Sequence, residues 1–467
     1  MFDDISSEQV KDILVKAVET LERTVEYADV LYEKVEGVSI RKDKAEERVS
    51  PPAAIQGVVL RAYKLGQWRE LSVNDFSDRN MKEAAEKLSL FHPLSKSAIK
   101  LDELKPWKLD RELDVKIKPS EVETEEKLEH IRRLYNDSVS YDRRIINTTV
   151  TYVDTTLERI FANTEGSLLR QTVPRLAFFL IPIARENGKM DYDYLNRGGT
   201  VGFELVKNLE EKTVRETMNN SIGLLKASTP PSGHFTVILD PHMTGIFAHE
   251  SFGHGCEADQ IVRKRSYLAP YFGKRIGFDK LNICDDATLP EGNGSFLFDD
   301  EGIKSRKNCI LRNGVFRGVL HERYSASLMD VEPTGNGRRE NFLRKLFVRM
   351  TNTYVEPGDC SLDEMIEDVD EGVMLVHGMS GMEDPLAGGM ELKSKKGYMI
   401  EKGKVTKVFS TLTLTENVLD FVSSIDAVGK KDQFEIVRGN CGKGHEDIVP
   451  VGDGGVYIRG RGVVSQG

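Results

Sequence analysis

The sequence lacks the features of a secreted or membrane-spanning protein. It has few cysteines for 467 residues, and they lie without paired spacing at positions 256, 284, 309, 360 and 441. An odd, sparse set argues against a disulfide framework and fits a reducing compartment. No window approaches the roughly 18 consecutive apolar residues that a spanning helix needs, and the acidic, polar start has no signal-peptide pattern. We therefore expect a soluble, cytoplasmic protein with no membrane partner.

Basic charge and aromatic residues are also scarce. The net charge is −10, and aromatic residues make up 8% of the chain. An acidic surface repels phosphate backbones, and base stacking needs aromatic platforms. The densest basic stretch, residues 338–349, is local and reads as a solvated loop running into a strand. These properties predict no nucleic-acid partner.

The chain is too long for one ordinary core and suits two or three domains. Apolar periodicity predicts helices at 6–26, 77–91, 120–139 and 203–226, with N-caps at Ser6 or Ser7 and at Ser77. Alternating segments between them predict antiparallel strands, with hairpin turns at Asp154, 164–166 and 186–188. Three prolines mark 92–119 as a connector.

The segment ASTPPSG at 227–233 combines small residues with two prolines and is typical of a linker. Beyond it the sequence has more glycine and many short strands. We therefore predict an α+β protein. Its N-terminal α+β domain covers 1–226, with antiparallel sheets, flanking helices and a sub-boundary near 92–119. A β-rich C-terminal domain covers 227–467.

The chemistry of the C-terminal part centres on the pattern H-E-x-x-x-H, formed by His249, Glu250 and His254. Neutral imidazoles bind zinc, and an adjacent carboxylate can act as a general base on a zinc-bound water. The spacing of five leaves the two imidazoles about 140° apart on a regular helix. Both can reach one ion only if the helix bulges or ends between them, which Gly253 and Gly255 allow.

A catalytic zinc site needs a third protein ligand and an open position. Cys256, Glu257 and Asp259 follow the motif closely, whereas Cys441 lies far away in a glycine-rich loop. We expect Lys443, two residues from Cys441, to favour the thiolate. Composition alone leaves this choice open.

Four segments resemble one family: HESFGHGCEAD, TGNGRREN, VRMTNTYVEPGD and GNCGKGHEDIVPVGDGG. The chain resembles the catalytic-type subunit of the TldD/PmbA family, whose members are described as zinc metallopeptidases. The resemblance implies one Zn²⁺ per chain, held by His249, His254 and Cys441, with Glu250 as the catalytic residue. The chain departs from the family pattern at His445-Glu446, where a Gly-Gln pair is usual, which puts substrate preference in doubt.

The resemblance also implies substrates and partners. We expect unfolded or short extended peptides to be hydrolysed by a zinc-bound water that Glu250 activates. Residues for binding the substrate and stabilising the oxyanion are His321, Tyr324, Arg338 and Arg339, whereas His242, His377 and His445 are interpreted as structural. The family forms two-fold dimers, so we expect a homodimer or a heterodimer with a PmbA-type subunit that lacks the motif.

Two other functions compete with a peptidase. A zinc-dependent hydrolase of a non-peptide substrate would use the same ligands, so substrate assays must distinguish the two. A non-catalytic regulatory or adaptor protein of the same fold would have a broken motif or no cysteine ligand. The sequence has both intact.

Overall fold

The computed structural model describes residues 5–51, 55–93, 99–444 and 447–467. His445 and Glu446, where the sequence departs from the family pattern, lie outside these ranges. The helices of the described residues are α1 Ser7–Glu22, α2 Asp78–Ser89, α3 Thr124–Tyr141, α4 Glu204–Lys207, α5 Glu211–Leu224, α6 Pro241–Ala248, α7 Ala258–Val262, α8 Arg323–Met329, α9 Leu362–Glu367 and α10 Val418–Ser424. None of them combines the length and the apolar run that a bilayer crossing requires.

The first nine strands of the described chain form one sheet. They are β1 Tyr27–Lys42, β2 Glu47–Ser50, β3 Ile55–Lys64, β4 Gln67–Val73, β5 Lys108–Glu112, β6 Ile145–Asn163, β7 Leu168–Glu186, β8 Lys189–Tyr192 and β9 Leu195–Gly199. The order is β4-β3-β1-β6-β7-β5, with β2 added to β1 and with β8 and β9 added to β7. All pairings are antiparallel except that of β5 with β7. The predicted mixed α+β fold is confirmed.

Two apolar clusters anchor the helices to this sheet. Helices α1 and α2 contribute residues such as Leu14 and Met81 to a cluster with β1, β3 and β6. Helices α3 and α5 contribute Ile131 and Met218 to a second cluster. Ser6 caps α1 in a capping box and Ser77 caps α2, which confirms both predicted N-caps.

Two sequence predictions about this sheet are wrong. No turn occurs at Asp154, because β6 continues through it. The Asp154 carboxylate is buried and accepts hydrogen bonds from Lys127 Nζ at 2.7 Å and from the Tyr152 hydroxyl at 2.6 Å. The predicted connector at 92–119 contains a strand, β5, which extends the sheet beside β7. The prolines at positions 93, 106 and 119 all lie outside β5, so they do not prevent this strand from forming.

Two helix predictions need new bounds. The helix predicted at 203–226 is interrupted at 208–210, so that α4 and α5 are separate. The helix predicted from Ser120 begins at Thr124, after a short 3₁₀ turn at Pro119–Glu121. The turns predicted at 164–166 and 186–188 are present, and Asn187 and Gly188 both have positive φ at the second turn.

The remaining strands lie beyond the predicted linker. They are β10 Gly233–Leu239, β11 Ile283–Asp286, β12 Lys307–Arg312, β13 Val315–Phe316, β14 Gly337–Arg338, β15 Phe347–Val348, β16 Asn352–Val355, β17 Glu371–Glu383, β18 Gly389–Glu401, β19 Lys404–Phe409, β20 Leu412–Asn417, β21 Ala427–Val428, β22 Glu435–Lys443, β23 Asp447–Gly455 and β24 Ile458–Gln466.

Within the described ranges these strands form two main sheets and one small ribbon. One sheet has the order β10-β17-β18-β20-β24-β21, with β19 added to β18, and the other has the order β13-β12-β11-β16-β23-β22. Helix α6 is buried between them and contributes Met243, Ile246 and Phe247 to a shared core. Elements from both sheets are therefore brought together around the end of α6.

The N-terminal and C-terminal parts share a buried boundary. Phe298 and Phe342 from the C-terminal part pack against Leu31 and Phe161 of the first sheet. Ion pairs cross the same boundary, including Arg159 with Asp300 at 2.6 Å.

The buried pair of Lys127 and Asp154 gives a test of this fold. Both side chains are 5% exposed, so Asp154→Ala leaves a buried ammonium without its partner. We expect the free energy of unfolding to fall by about 3–5 kcal/mol, measured by urea denaturation. Glu83→Ala removes the exposed pair with Arg79 and should leave the free energy of unfolding almost unchanged. Equal losses in the two variants would contradict the assignment.

Candidate metal centre

Helix α6 leads directly into an irregular turn that carries the H-E-x-x-x-H motif. Asp240 caps the start of α6, and its carboxylate accepts a hydrogen bond from Met243 N at 2.8 Å. The chain then forms a π turn at His249–Gly253 and a 3₁₀ turn at His254–Cys256. A π turn brings positions five residues apart onto one face. Of the two alternatives that the spacing allows, a bulge or a helix end between the histidines, the structure has the bulge.

Gly253 cannot be replaced in this turn by a residue with a side chain. A Cβ at Gly253 would lie 1.7 Å from Met350 Sδ, which is far inside van der Waals contact. Met350 is itself fully buried in the core between the two sheets. The glycine therefore permits the close packing that holds the two imidazoles in place.

The structure brings three potential ligand atoms together. The ligand atoms of His249, His254 and Cys441 all lie within 4.8 Å of one another. Cys441 Sγ is 3.5 Å from His254 Nε2, and the two imidazole rings are nearly perpendicular. Cys441 lies on β22, so the third ligand comes from a different element than the two histidines.

The closer alternatives for the third ligand are used elsewhere. Cys256 is fully buried in the apolar core, where burial raises its thiol pKa well above the usual value. Glu257 and Asp259 instead bind Lys443, whose Nζ lies 2.9 Å and 2.8 Å from their carboxylate oxygens.

Each histidine has a carboxylate behind it. His249 Nδ1 lies 2.6 Å from Asp453 Oδ1, and His254 Nδ1 lies 3.3 Å from Glu257 Oε2. These contacts orient the two Nε2 atoms toward the space beside Cys441. Metal-ligating histidines commonly donate their second N–H to a carboxylate in this way. Two imidazoles and a thiolate make a donor set that fits zinc.

The electrostatics of the site favour a thiolate. Burial acts to raise the pKa of Cys441, but His254 and His249 outweigh it and hold the pKa well below the usual value. Burial acts to lower the pKa of His254, whereas Cys441 and Glu257 raise it to about 10. The expected role of Lys443 at the thiolate is wrong, because its ammonium binds carboxylates. Burial acts to raise the pKa of Glu257, but Lys443 and His254 outweigh burial and lower this pKa to about 2.

Glu250 lies on the π turn and lines a cleft of about 450 Å³ together with His249. Burial raises the pKa of Glu250, and His249 and His254 partly oppose this effect. Gly381 of β17 packs directly against it, since a Cβ there would lie 2.5 Å from Glu250 Cγ. The carboxylate is thus confined beside the candidate metal ligands.

One wall of the cleft is the outer edge of β17. Strand β10 pairs with β17 only as far as Leu375. Beyond it the Tyr194 hydroxyl donates to the Gly378 carbonyl, and His377 N donates to Asp240. From Ser380 to Glu383, β17 pairs with β18 and with no other strand of the described chain, and Met379 lies at an irregularity between the paired residues Gly378 and Ser380. An unpaired strand edge therefore faces the cleft that contains Glu250.

The four residues predicted to bind substrate lie outside this cleft. His321 is buried, where its Nδ1 lies 3.3 Å from Ser325 Oγ, and burial lowers its pKa to about 4. Tyr324 lines a separate pocket. Arg338 and Arg339 line a neighbouring cavity. His242, interpreted as structural, does line the cleft, and burial with His377 lowers its pKa to about 4.

A second group of potential ligands exists in the described part of the chain. It consists of Cys284, Cys309 and Glu356. Glu356 is already paired with Lys307 at 2.5 Å and with Arg312 at 3.3 Å. Two cations beside the group oppose the binding of a metal ion, so the centre at Cys441 is the better candidate.

Sequence reasoning missed Asp453 and Tyr194. Asp453 lies 204 positions from His249, so no local spacing connects them. The signal that could have found it is its place between glycines in VGDGG, a short distance after Cys441 in the sequence. Both residues lie on strands, so the sequence prediction of a loop at Cys441 is wrong. Tyr194 has no distinguishing neighbour in the sequence.

Comparisons with known proteins find similarity to metallopeptidases. A family model described as the PmbA/TldA metallopeptidase C-terminal domain matches residues 232–461, and one described as its central domain matches 117–220. A metalloprotease of Methanocaldococcus jannaschii is 35% identical over 97% of this chain and 99% of that protein. A zinc metalloprotease TldD homolog of Saccharolobus solfataricus is 32% identical over 55% of each chain.

Two solved structures share the fold. TldE from Thermococcus kodakarensis has a TM-score of 0.79 at 17% identity and covers 97% of this chain and all of its own. A putative modulator of a DNA gyrase from Thermotoga maritima has a TM-score of 0.78 at 21% identity, with 98% and 100% coverage. At these identities the likeness concerns the fold alone.

The carboxylate behind His249 gives a test of the centre. In Asp453→Ala, His249 loses the group that orients its ring, so we expect zinc affinity to fall about 10- to 100-fold. Competition with a chromogenic chelator measures this affinity. Asp432→Ala, on an exposed turn, is the matched control and should bind zinc normally. Unchanged affinity in Asp453→Ala would remove His249 from the ligand set.

Proposed function

The chain belongs to the PmbA/TldA metallopeptidase family, and from this premise we propose that it is a zinc-dependent peptidase of the catalytic, TldD-like type that hydrolyses unfolded or short extended peptides. Metalloproteolysis is the activity that the family and its relatives share. The observation that carries the proposal is the position of Glu250 in a cleft beside His249, His254 and Cys441.

The proposed metal ligands are His249, His254 and Cys441, with one zinc ion per chain. A bound zinc ion supplies a Lewis acid that polarises the peptide carbonyl and lowers the pKa of water. The carboxylates of Asp453 and Glu257 keep the two imidazoles oriented. Because a thiolate ligand must stay reduced, the set fits the cytoplasm.

Glu250 is the proposed general base. It follows His249 directly in the chain, so its carboxylate projects from the same turn into the cleft. It takes a proton from the attacking water and delivers it to the leaving amine. Gly381 leaves the space that the Glu250 side chain occupies, because a Cβ there would lie 2.5 Å from Glu250 Cγ.

The proposed substrate binds along the outer edge of β17. An extended peptide can pair with Ser380–Glu383 through main-chain hydrogen bonds, which give affinity with little selectivity for side chains. A folded protein, whose strands are already paired, offers no such segment.

We also propose that the chain works as a two-fold dimer, either with itself or with a subunit that lacks the motif. The fold it shares with TldE supports a partner of the same architecture. Light scattering after size exclusion measures the mass of the purified chain. A monomeric, inactive chain that gains activity with a second subunit supports the heterodimer.

The role of Glu250 is tested by Glu250→Gln. We expect kcat/KM on unstructured peptides to fall by at least about 10²-fold, because proton transfer is lost. Zinc content, measured by elemental analysis, should stay at one ion per chain. Glu216→Gln on α5 is exposed and serves as the control.

Two results would contradict this assignment. Full activity of Glu250→Gln would mean that another residue transfers the proton. A wild-type chain that holds zinc but cleaves no peptide would favour a hydrolase of a non-peptide substrate.

Strand addition is tested with peptides that carry one N-methyl group each. Successive residues of an extended chain point their N–H groups to opposite sides. We therefore expect N-methylation to lower kcat/KM by about five- to tenfold at every second position, where a hydrogen bond to β17 is lost. Side-chain changes from Ala to Val at the same positions are the control. A loss without this alternation would exclude pairing with β17.

A further inference from the structure

A second cavity adjoins the cleft of Glu250. It has a volume of about 410 Å³ and lies between the first sheet and β22–β23. Arg438 and Asn440 of β22 line both spaces. These two residues therefore lie at the boundary between the cleft and this cavity.

The cavity is strongly basic, although the chain as a whole is acidic. Its lining includes two glutamates, Glu33 and Glu340, and five arginines: Arg159, Arg175, Arg338, Arg339 and Arg438. A buried cation is costly unless a carboxylate pairs with it. The partners of these five guanidinium groups therefore show which of the positive charges are neutralised within the protein.

Two of the arginines are neutralised within the protein. Arg159 pairs with Glu33 at 2.7 Å and with Asp300 at 2.6 Å. Arg339 pairs with Glu70 at 3.3 Å. These two serve the boundary between the first sheet and the C-terminal part.

Arg175 and Arg338 make no ion pair with any described residue. Their guanidinium groups donate to main-chain carbonyls at 2.5–3.1 Å, which belong to Asn293 and Ser295 for Arg175, and to Met350 and Pro450 for Arg338. A carbonyl orients a guanidinium group but does not cancel its charge. Burial lowers the pKa of Arg175 to about 9 and that of Arg338 to about 10, although Asp300 partly opposes this.

Arg438 lacks even carbonyl partners. Its guanidinium group makes no hydrogen bond or ion pair with the described residues, and its Nε is buried without a partner. The side chain is nevertheless fixed in place. It stacks on the Phe179 ring at 5.0 Å, and it packs so tightly on β9 that a Cβ at Gly198 would lie 2.6 Å from its Cδ.

A fixed guanidinium group with unused N–H donors matches the planar, two-oxygen geometry of a carboxylate. We propose that this cavity is a subsite for a carboxylate of the peptide substrate. Arg438 binds the carboxylate at the boundary with the cleft, and Arg175 and Arg338 supply further positive charge. The inference rests on the proposed peptidase function, because a peptide in the cleft brings the carboxylate to Arg438.

A peptide carries carboxylates of two kinds, and matched substrates distinguish them. One pair of peptides differs only in a free or amidated C-terminus, and a second pair differs only in Glu or Gln at one internal position. We expect kcat/KM to be at least about tenfold higher for the acidic member of one pair. The pair that shows the difference identifies the source of the carboxylate.

Variants of Arg438 test whether the preference for the acidic peptide depends on this cavity. In Arg438→Met the ratio between the acidic and neutral peptides should fall to about one, whereas Arg438→Lys should keep part of it. Arg215→Met, an exposed arginine on α5, is the matched control and should keep the full ratio. Arg438→Met should also leave the melting temperature unchanged or raise it, because it removes a buried cation without a partner.

Measurements of binding distinguish a failure of the subsite from a failure of the proposed peptidase function. Calorimetry with the Glu250→Gln protein measures affinity for the same peptides without turnover. Tighter binding of an acidic peptide supports the subsite even if wild type cleaves none of them. Equal affinities within both pairs, or a preference that survives in Arg438→Met, would overturn the subsite, even if every peptide is cleaved.

Discussion

The structure depends on one geometric requirement: two imidazoles at positions 249 and 254 must meet a thiol from another part of the chain. A regular helix cannot satisfy it, because its side chains five residues apart diverge. The π turn at His249–Gly253 satisfies it, and Gly253 allows that turn to lie against Met350. Helix α6 is buried between two sheets, so the turn begins from a fixed position.

The third candidate ligand and one of the supporting carboxylates come from paired strands. Cys441 lies on β22, opposite Val449, and Asp453 lies further along β23. The register of these two strands therefore determines the positions of both the Cys441 thiolate and the carboxylate behind His249. Lys443 on β22 also binds Glu257, which supports His254. The site is thus stabilised by contacts that converge on both histidines from one hairpin.

Much of this arrangement can be predicted from the sequence, and the errors have physical reasons. Helix caps such as Ser6 and Ser77 are local and were predicted correctly, as was an irregular turn between His249 and His254. The sequence predicts a turn at Asp154 because it does not show the buried partner, Lys127, which lies in a distant helix. Asp453 and the true partners of Lys443 were missed for the same reason: sequence spacing does not show contacts between distant segments.

The unpaired edge of β17 has a consequence for how substrates are chosen. A strand edge accepts any main chain that is extended and free of its own partners, so a folded protein must first release a segment. The free energy of that local opening is added to the cost of binding, and each 1.4 kcal/mol reduces the bound fraction about tenfold. Under the proposed strand addition, competing substrates would be ranked by their local stability, and the enzyme would select for conformational disorder.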